Sequence, residues 1–166
     1  STPPRTGWRA PPSATAGSVD KQIRQLSVQQ QADNEFRKAN GLLQQGRTGE
    51  ALAGYEAALR LDAGYDAARQ ALVGLLLESK RGTDAERVLQ DGLEHNPKHG
   101  GFAMLLARMQ VERDDPQLAL DTLLKTLPHA GQQADYQSFI AALQQRLNRH
   151  QEAVSHYRIA LQLAPD

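Results

Sequence analysis

A period of 34 residues runs through most of this 166-residue chain and constrains its fold more than any other feature. Alanine recurs at this spacing, at Ala51, Ala85, Ala119 and Ala153. Four residues after each alanine stands a large apolar or aromatic residue, and three residues further on stands a small one. These two series are Tyr55, Leu89, Leu123 and Tyr157, and Ala58, Gly92, Thr126 and Ala160. A fixed period of this length indicates a stacked repeat protein, because each unit is too small to bury its own apolar face.

The three series predict one buried face of a helix in every unit. They lie at i, i+4 and i+7, which is a single face of an α-helix. Small residues on that face let two helix axes approach closely. Pro97 and Pro165 follow in the same phase and cannot continue a helix, so each is expected to end the second helix of its unit. The turns between paired helices are predicted at Gly46, Arg81-Gly82, Asp115-Pro116 and Asn148.

The period and its punctuation resemble the tetratricopeptide repeat, a helix-turn-helix unit of the same length. The position late in the first helix where that family has a small residue reads Ala39, Val73, Ala107 and Ala141, whereas the family's Trp and Gly are missing from every unit. The resemblance covers four repeats, residues 32–65, 66–99, 100–133 and 134–166. It implies an all-α fold, a right-handed α-solenoid of four 34-residue helix-turn-helix repeats.

The segment before the array differs from it in composition. Residues 1–18 contain four prolines among Ser, Thr, Gly and Ala, which is typical of a flexible Pro-rich linker. Trp8 is either a short recognition element or, more simply, an incidental residue of a solvated tether. The chain has no initiator Met and stops at Asp166 directly after a repeat, so we expect it to be a piece of a longer protein.

The sequence predicts a lead-in helical segment at residues 19–31, before the repeat array at residues 32–166. Ser27 followed by Gln30 fits a capping box. The sequence therefore predicts that the first repeat helix begins near Val28.

Composition disfavours several kinds of partner. The chain has 19 basic and 19 acidic residues, interspersed along the helices, and a formal net charge of zero. Binding to nucleic acid or to an anionic membrane needs concentrated Lys and Arg. The absence of cysteine excludes disulfides and thiolate metal sites. No run approaches the ~20 apolar residues of a membrane-spanning helix.

The polar residues do not predict a catalytic, cofactor or metal site. His95 and His99 have helical i, i+4 spacing, but Pro97 lies between them and prevents the helix that would align both rings. Residues 46–49 lack the Gly-Lys-Ser/Thr ending of a phosphate-binding loop. No Ser-His-Asp or paired-carboxylate arrangement stands out, so we predict a protein that is not an enzyme.

In tetratricopeptide repeat proteins the first helices line a concave surface that holds a peptide or a partner helix. Carried over by repeat position, the resemblance implies a groove lined by Phe36, Asn40, Leu43, Gln70, Gly74, Leu77, Met104, Arg108, Val111, Ser138, Ala142 and Gln145. Phe36 and Met104 are predicted as apolar anchors. The alternative is that both are core residues, because an error of one position turns groove into core.

One subfamily with this groove is a poor match. Chaperone-binding members hold a C-terminal carboxylate with Lys, Asn and Arg at set positions. Asn40 matches one of these positions, but the others hold Phe36, Ala71, Gly101 and Leu105, none of which can pair with a carboxylate. A carboxylate-clamp cochaperone is therefore not expected.

Several segments also resemble MshN-type proteins of the mannose-sensitive haemagglutinin (MSHA) pilus, a bacterial type IV pilus. They are residues 29–32, 42–47, 50–52, 68–72 and 149–154. The resemblance implies a periplasmic repeat array, tethered by an upstream inner-membrane helix, that binds components of a pilus or secretion machine during assembly.

The function predicted from the sequence is thus a non-catalytic protein-protein interaction scaffold that binds a peptide or helix in its groove. One alternative is a structural module that forms homo-oligomers through the last repeat, where Val154, Tyr157 and Leu161 would pair with another copy. A second alternative is the non-catalytic repeat domain of a larger enzyme, such as a glycosyltransferase.

Overall fold

The computed structural model describes residues 1–4, 7 and 14–165, and within them the chain forms eight α-helices and no strand. The helices are α1 (Ala14–Gln44), α2 (Thr48–Leu61), α3 (Asp66–Glu78), α4 (Gly82–His95), α5 (Gly100–Glu112), α6 (Pro116–Ala130), α7 (Ala134–Arg146) and α8 (His150–Leu163). Trp8 and the proposal that it is a recognition element lie outside the described residues. None of the described helices is long and apolar enough to cross a membrane.

The helices form four pairs that follow the 34-residue period. We call α1, α3, α5 and α7 the A helices and α2, α4, α6 and α8 the B helices. The second, third and fourth A helices begin at Asp66, Gly100 and Ala134, the first residues of the corresponding predicted repeats. Each helix packs mainly against its neighbours in the chain. The predicted fold class, an all-α solenoid of helix-turn-helix repeats, is confirmed.

The predicted face of the B helices forms the core. In the first three repeats the alanine and the large residue four positions later are at most 1% exposed, and the following small residue is also buried. Two clusters of apolar side chains result. The first centres on Tyr55, Leu72 and Leu89, and the second on Leu120, Leu123 and Ile140. The small residues of the A helices, such as Ala39 and Ala107, are fully buried between the paired helices.

The turn between paired helices places one residue of each repeat in the left-handed region. These residues are Gly46 (φ 75°), Lys80 (φ 58°), Asp114 (φ 62°) and Asn148 (φ 63°), again 34 apart. The next amide donates to the carbonyl five residues earlier, for example Arg81 N to Leu76 O at 2.8 Å, which closes the A helix as a Schellman motif.

The predicted turn positions are right for two repeats and one or two residues late for the others. Gly46 and Asn148 lie in the turns as predicted, and both take the left-handed conformation. Arg81 and Asp115 are instead the N-caps of the following B helices, and Gly82 and Pro116 are their first residues. Proline suits the first helical position because its missing amide would have no partner there.

Lys80 gives a test of this geometry. A residue with a Cβ atom in the left-handed region destabilises the fold by roughly 1–2 kcal/mol. Glycine avoids this cost, but it loses more conformational entropy on folding, and this loss offsets part of the gain. We therefore expect Lys80→Gly to raise the free energy of unfolding by about 0.5–1 kcal/mol. The reciprocal change, Gly46→Lys, should lower it by a similar amount. Urea denaturation of both variants checks the pair, and equal signs for the two changes would contradict the explanation.

The predicted start of the first repeat helix near Val28 is wrong. Helix α1 runs without a break from Ala14 to Gln44, and so passes through Ser27. It also includes the last residues of the predicted linker. The reason is that residues 19–31 hold good helix formers such as Lys, Gln, Arg and Leu, without Gly or Pro, so a capping motif alone does not interrupt them.

A polar side chain caps each junction between repeats. The last turn of the first three B helices is followed by the carbonyls of Ala63, Pro97 and Gly131, one period apart. They accept hydrogen bonds from Arg69 Nη2 (2.6 Å), Thr126 Oγ1 (3.2 Å) and Gln137 Nε2 (2.9 Å), respectively. All three donor side chains belong to buried residues. The junctions therefore have a common acceptor but chemically different donors.

Candidate functional site

The residues predicted to line the groove lie on one face of the A helices, at i, i+4 and i+7 in each repeat. We call this surface the A-helix face. The structure separates its members by accessibility. The exposed members are Leu43, Gln70, Gly74, Leu77, Arg108, Ala142 and Gln145, the half-buried ones are Phe36, Asn40, Val111 and Ser138, and Met104 is buried.

Phe36 is held in an aromatic cluster. Its ring centroid lies 5.0 Å from that of Tyr65 and 5.7 Å from that of Tyr55. The Tyr65 hydroxyl donates to Asp33 Oδ1 at 2.7 Å. Burial, together with this hydrogen bond, raises the pKa of Tyr65 to about 12, so the hydroxyl stays a donor. Phe36 therefore joins the A-helix face to the core of the first two repeats.

The two amides at the ends of the A-helix face are oriented by tyrosines of the B helices. Asn40 Oδ1 accepts from the Tyr55 hydroxyl at 2.6 Å, and Gln145 Oε1 accepts from the Tyr157 hydroxyl at 3.3 Å. Burial raises the pKa of Tyr55, which keeps its hydroxyl protonated. Each oxygen already accepts one hydrogen bond, which orients the amide so that its nitrogen can donate to a ligand.

Met104 packs mainly into the core. It is 8% exposed and belongs to the second cluster, with Ala107 and Ile140. The alternative interpretation, a core residue, therefore describes most of its surface. Its role as an anchor for a ligand stays a prediction, and a substitution at Met104 changes packing as well as any binding.

The accessible apolar part of the A-helix face is a stripe along three repeats. Leu43, Leu77 and Val111 occupy the same repeat position on α1, α3 and α5; the two leucines are each 38% exposed and Val111 is half-buried. The polar side chains of Gln70 and Arg108 are exposed on the same face. The arrangement combines apolar contact area with a few hydrogen-bond donors, which suits the burial of an apolar segment.

Outside the A-helix face, the described residues form no metal site, and His99 and His156 make structural contacts. Within the part of the chain that the structure describes, no group of three or more His, Asp and Glu side chains could hold a metal ion. His99 Nδ1 accepts the Phe102 amide at 3.0 Å and so caps α5. His156 Nδ1 lies 2.7 Å from Gln137 Oε1, and burial lowers the pKa of His156 although Glu152 opposes the shift.

Sequence reasoning missed the polar residues inside the array. Arg69, Gln110, Gln137 and Gln144 are buried, although nothing in their residue types predicts it. The sequence signal that could have indicated their burial is the repeat position. Arg69 and Gln137 share one position of the A helix, and Gln110 and Gln144 share another. Gln110 Oε1, for example, accepts from Thr122 Oγ1 at 2.7 Å.

Comparisons with known proteins agree with this architecture. Solved structures of similar fold include a crystal structure of MamA, with 17% identity, coverage of 91% of each chain and a TM-score of 0.65. MamA 41-end from Desulfovibrio magneticus RS-1 has 17% identity, coverage of 80% of this chain and 75% of that one, and a TM-score of 0.61. YrrB, described as a TPR protein with an unusual peptide-binding site, has 20% identity, coverage of 79% and 68%, and a TM-score of 0.62.

Sequence comparison gives the family. No curated protein sequence matches the chain significantly. The family model for the tetratricopeptide repeat matches residues 42–109 and 77–143, which together span more than half of the chain. The chain belongs to the tetratricopeptide repeat family.

Proposed function

We propose that this chain, a tetratricopeptide repeat scaffold for protein-protein interaction, binds a peptide or a helix of a partner protein on its A-helix face. The observation that carries the proposal is the stripe of Leu43, Leu77 and Val111, one apolar side chain in each of three successive repeats. Buried apolar area is the main source of affinity at such a surface, at about 25 cal/mol per Å².

The form of the stripe favours a ligand that crosses the A helices. Each repeat offers one apolar contact, so a segment that runs along the array can place one apolar side chain on each of them. The exposed Gln70 and Arg108 add polar contacts beside the stripe, and the amide nitrogens of Asn40 and Gln145 add donors near its ends. YrrB, a protein of similar fold, is described as having an unusual peptide-binding site, which supports peptide binding by such an array.

Substitutions in the stripe test this proposal. Peptides are selected on the wild-type protein from a phage-displayed library, and their affinity is measured for Leu43→Asp/Leu77→Asp. Two charges placed in the contact area should weaken binding at least tenfold, which corresponds to about 1.4 kcal/mol. Because both side chains are only 38% exposed, the substitutions should also lower thermal stability, and circular dichroism checks that the variant stays folded at the temperature of the binding measurement.

Leu124→Asp is the matched control, because Leu124 is 37% exposed on α6, outside the A-helix face. The control should bind the selected peptides like the wild type. Selected peptides that bind Leu43→Asp/Leu77→Asp with unchanged affinity would show that the A-helix face is not the binding surface.

We also propose that the partner is a component of a pilus or secretion machine and that the array is periplasmic, held by an upstream inner-membrane helix. The support is the resemblance of residues 42–47 and 149–154 to MshN-type proteins, together with the linker composition of residues 1–18. Fractionation of the source cells, followed by crosslinking and purification of the protein, tests both points. Recovery in the cytoplasm without any envelope component would contradict them.

A further inference from the structure

Helix α5 has a weaker first turn than its neighbours α3 and α7. Its first two residues are Gly100 and Gly101, and glycine is, after proline, the residue least favourable to a helix. The first turn of α5 contains no acidic residue, whereas those of α3 and α7 contain Asp66 and Asp135. An acidic side chain there stabilises a helix through its dipole. The start of α5 therefore depends on another interaction.

Close contacts explain why both glycines stand at this position. Gly100 is buried, and an added Cβ would lie 2.8 Å from the Cβ atom of Ala130, at the end of α6. At Gly101 an added Cβ would lie 3.1 Å from Cε1 of His99. The imidazole ring thus fits against the helix because a side chain is missing there. A better helix former at either position would displace a neighbouring group.

His99 stabilises this first turn by capping it. Its Nδ1 atom accepts the backbone amide of Phe102 at 3.0 Å, and the two rings stack with centroids 3.6 Å apart and an interplanar angle of 8°. The N-cap residues of α3 and α7 make no such side-chain hydrogen bond. Phe102 is 3% exposed in the first core cluster, which also contains residues of the second repeat. The cap therefore supports the junction between the second and third repeats.

The cap requires a neutral imidazole. A backbone N–H group can only donate, so Nδ1 is the acceptor in this contact and the ring proton is on Nε2. Nε2 lies 3.6 Å from Oδ2 of Asp66. A second proton, on Nδ1, would point at the Phe102 N–H group. It would also put a positive charge at a helix N-terminus, where the helix dipole disfavours cations. A protonated His99 therefore cannot cap α5.

The charges at this junction act on the ring in opposite directions. Asp66 attracts an imidazolium, and it forms the ion-pair contact of His99 among the described residues. Arg69 and Lys98 are cations on the same side of the junction and oppose a further positive charge. An imidazole ring ordinarily gains its second proton between about pH 8 and pH 5. The remaining titratable side chains on the elements that meet here are His95 of α4 and His129 of α6.

We propose that His99 is a pH-sensitive cap at the junction between the second and third repeats. The neutral ring holds the first turn of α5 in its helical form. The protonated ring turns from the Phe102 amide towards Asp66, and the first turn of α5 loosens. Acid thus acts on the helix that also carries Arg108 and Val111 of the A-helix face, although His99 itself lies outside that face.

Hydrogen exchange of the Phe102 amide tests this proposal. Exchange is followed by NMR between about pH 8 and pH 5, and each rate is divided by that of an unstructured peptide at the same pH, which removes the intrinsic pH dependence. The protection of the Phe102 amide should fall about fivefold or more. The midpoint of this fall should coincide with that of the chemical shift of the His99 Cε1 proton. Asp66→Asn should move both midpoints to lower pH, because the imidazolium loses its carboxylate.

His99→Asn is the matched variant, because asparagine is a good N-cap that does not titrate. It should keep the protection of the Phe102 amide nearly constant over the same pH range. His99→Ala should show, already at the highest pH, the low protection that the wild type reaches in acid. His95→Asn, a change in the nearest other histidine along the chain, should leave the pH dependence unchanged.

The melting temperature gives a second measurement. Between about pH 8 and pH 5, that of the wild type should fall by about 2 °C or more beyond the fall in His99→Asn. The comparison with His99→Asn removes the contribution of other groups. One of them is His156, whose pKa is lowered by burial, so its protonation in acid also destabilises the fold.

Four results would overturn the proposal. The first is protection of the Phe102 amide that stays constant as the wild type is acidified, and the second is an equal fall in His99→Asn. The third is unchanged protection in His99→Ala at the highest pH, because the cap would then not hold the first turn. The fourth is a midpoint that Asp66→Asn leaves unchanged or raises, because the ring would then not turn towards Asp66.

Discussion

Replacing Tyr55 by alanine is expected to lower the free energy of unfolding by about 3–5 kcal/mol, the usual cost of truncating a buried aromatic side chain. Tyr55 is 1% exposed at the centre of the first cluster. The truncation leaves a cavity beside Phe36 and removes the donor to Asn40 Oδ1. Because a domain has only about 5–15 kcal/mol of stability, the variant should be close to unfolding at 37 °C.

Tyr157→Ala is the matched control, since Tyr157 is the same residue at the same repeat position, with a similar hydrogen bond to an amide oxygen. It is 37% exposed on α8, so its loss should cost less than half as much as that of Tyr55. Urea denaturation measures both values, with an unchanged m-value as the check on two-state behaviour. Equal losses at the two positions would contradict the difference in burial.

The sequence period predicted the parts of the fold that every repeat shares. Ala51, Tyr55 and Ala58 are buried as the helical spacing indicated, and Leu89 and Leu123 follow in their repeats. These positions were predictable because the same contact is made in the first three units, so its residue types recur one period apart. In the fourth unit the prediction is wrong for Tyr157, which is 37% exposed although Ala153 and Ala160 are buried. The prediction rested on four copies of one pattern and did not depend on any single residue.

Features that differ between repeats were not predictable in this way. Lys80 takes the left-handed position of the turn, although glycine, aspartate and asparagine stand there in the other three repeats. Its conformation is imposed by the two helices that it joins. Helix α1 continues through Ser27 because its preceding residues favour helix more strongly than the cap interrupts it.

The groove prediction shows the same limit for side chains on a helix surface. The spacing of Phe36, Leu43 and Met104 places them on the A-helix face, but it does not show how far the neighbouring helix covers each side chain. The structure buries Met104 in the second cluster and leaves Leu43 exposed. A half-turn of helix separates a core position from a groove position, so only the packing of adjacent repeats distinguishes them.

Arg69 and Gly92 form a pair that depends on such packing. The side chain of Arg69 crosses α4 at Gly92, where an added Cβ would lie 2.5 Å from Arg69 Cδ. Arg69 then donates to the carbonyls of Ala63 (2.6 Å) and Val88 (2.9 Å). One repeat later the pair is Ala103 and Thr126, and the threonine hydroxyl caps the equivalent carbonyl. The long donor on the A helix of the second repeat is thus matched by glycine on its B helix, and the short residue of the third repeat is matched by threonine.

This relation predicts strong coupling when the third repeat's pair is placed in the second. Gly92→Thr alone should cost about 1–3 kcal/mol, because the new side chain displaces Arg69. Arg69→Ala alone should cost a similar amount, since the Ala63 carbonyl loses its donor and the arginine stem leaves a void.

The double variant Arg69→Ala/Gly92→Thr should lose about 1–3 kcal/mol less than the sum of the two single changes, because the threonine occupies the vacated space and can donate to the Ala63 carbonyl. A double-mutant cycle by urea denaturation measures this coupling. Costs that add within about 0.5 kcal/mol would show that the two residues act independently. A favourable coupling would instead mean that the residues at positions 69 and 92 depend on each other. Substitutions on the two packed helices of a repeat must then be chosen together.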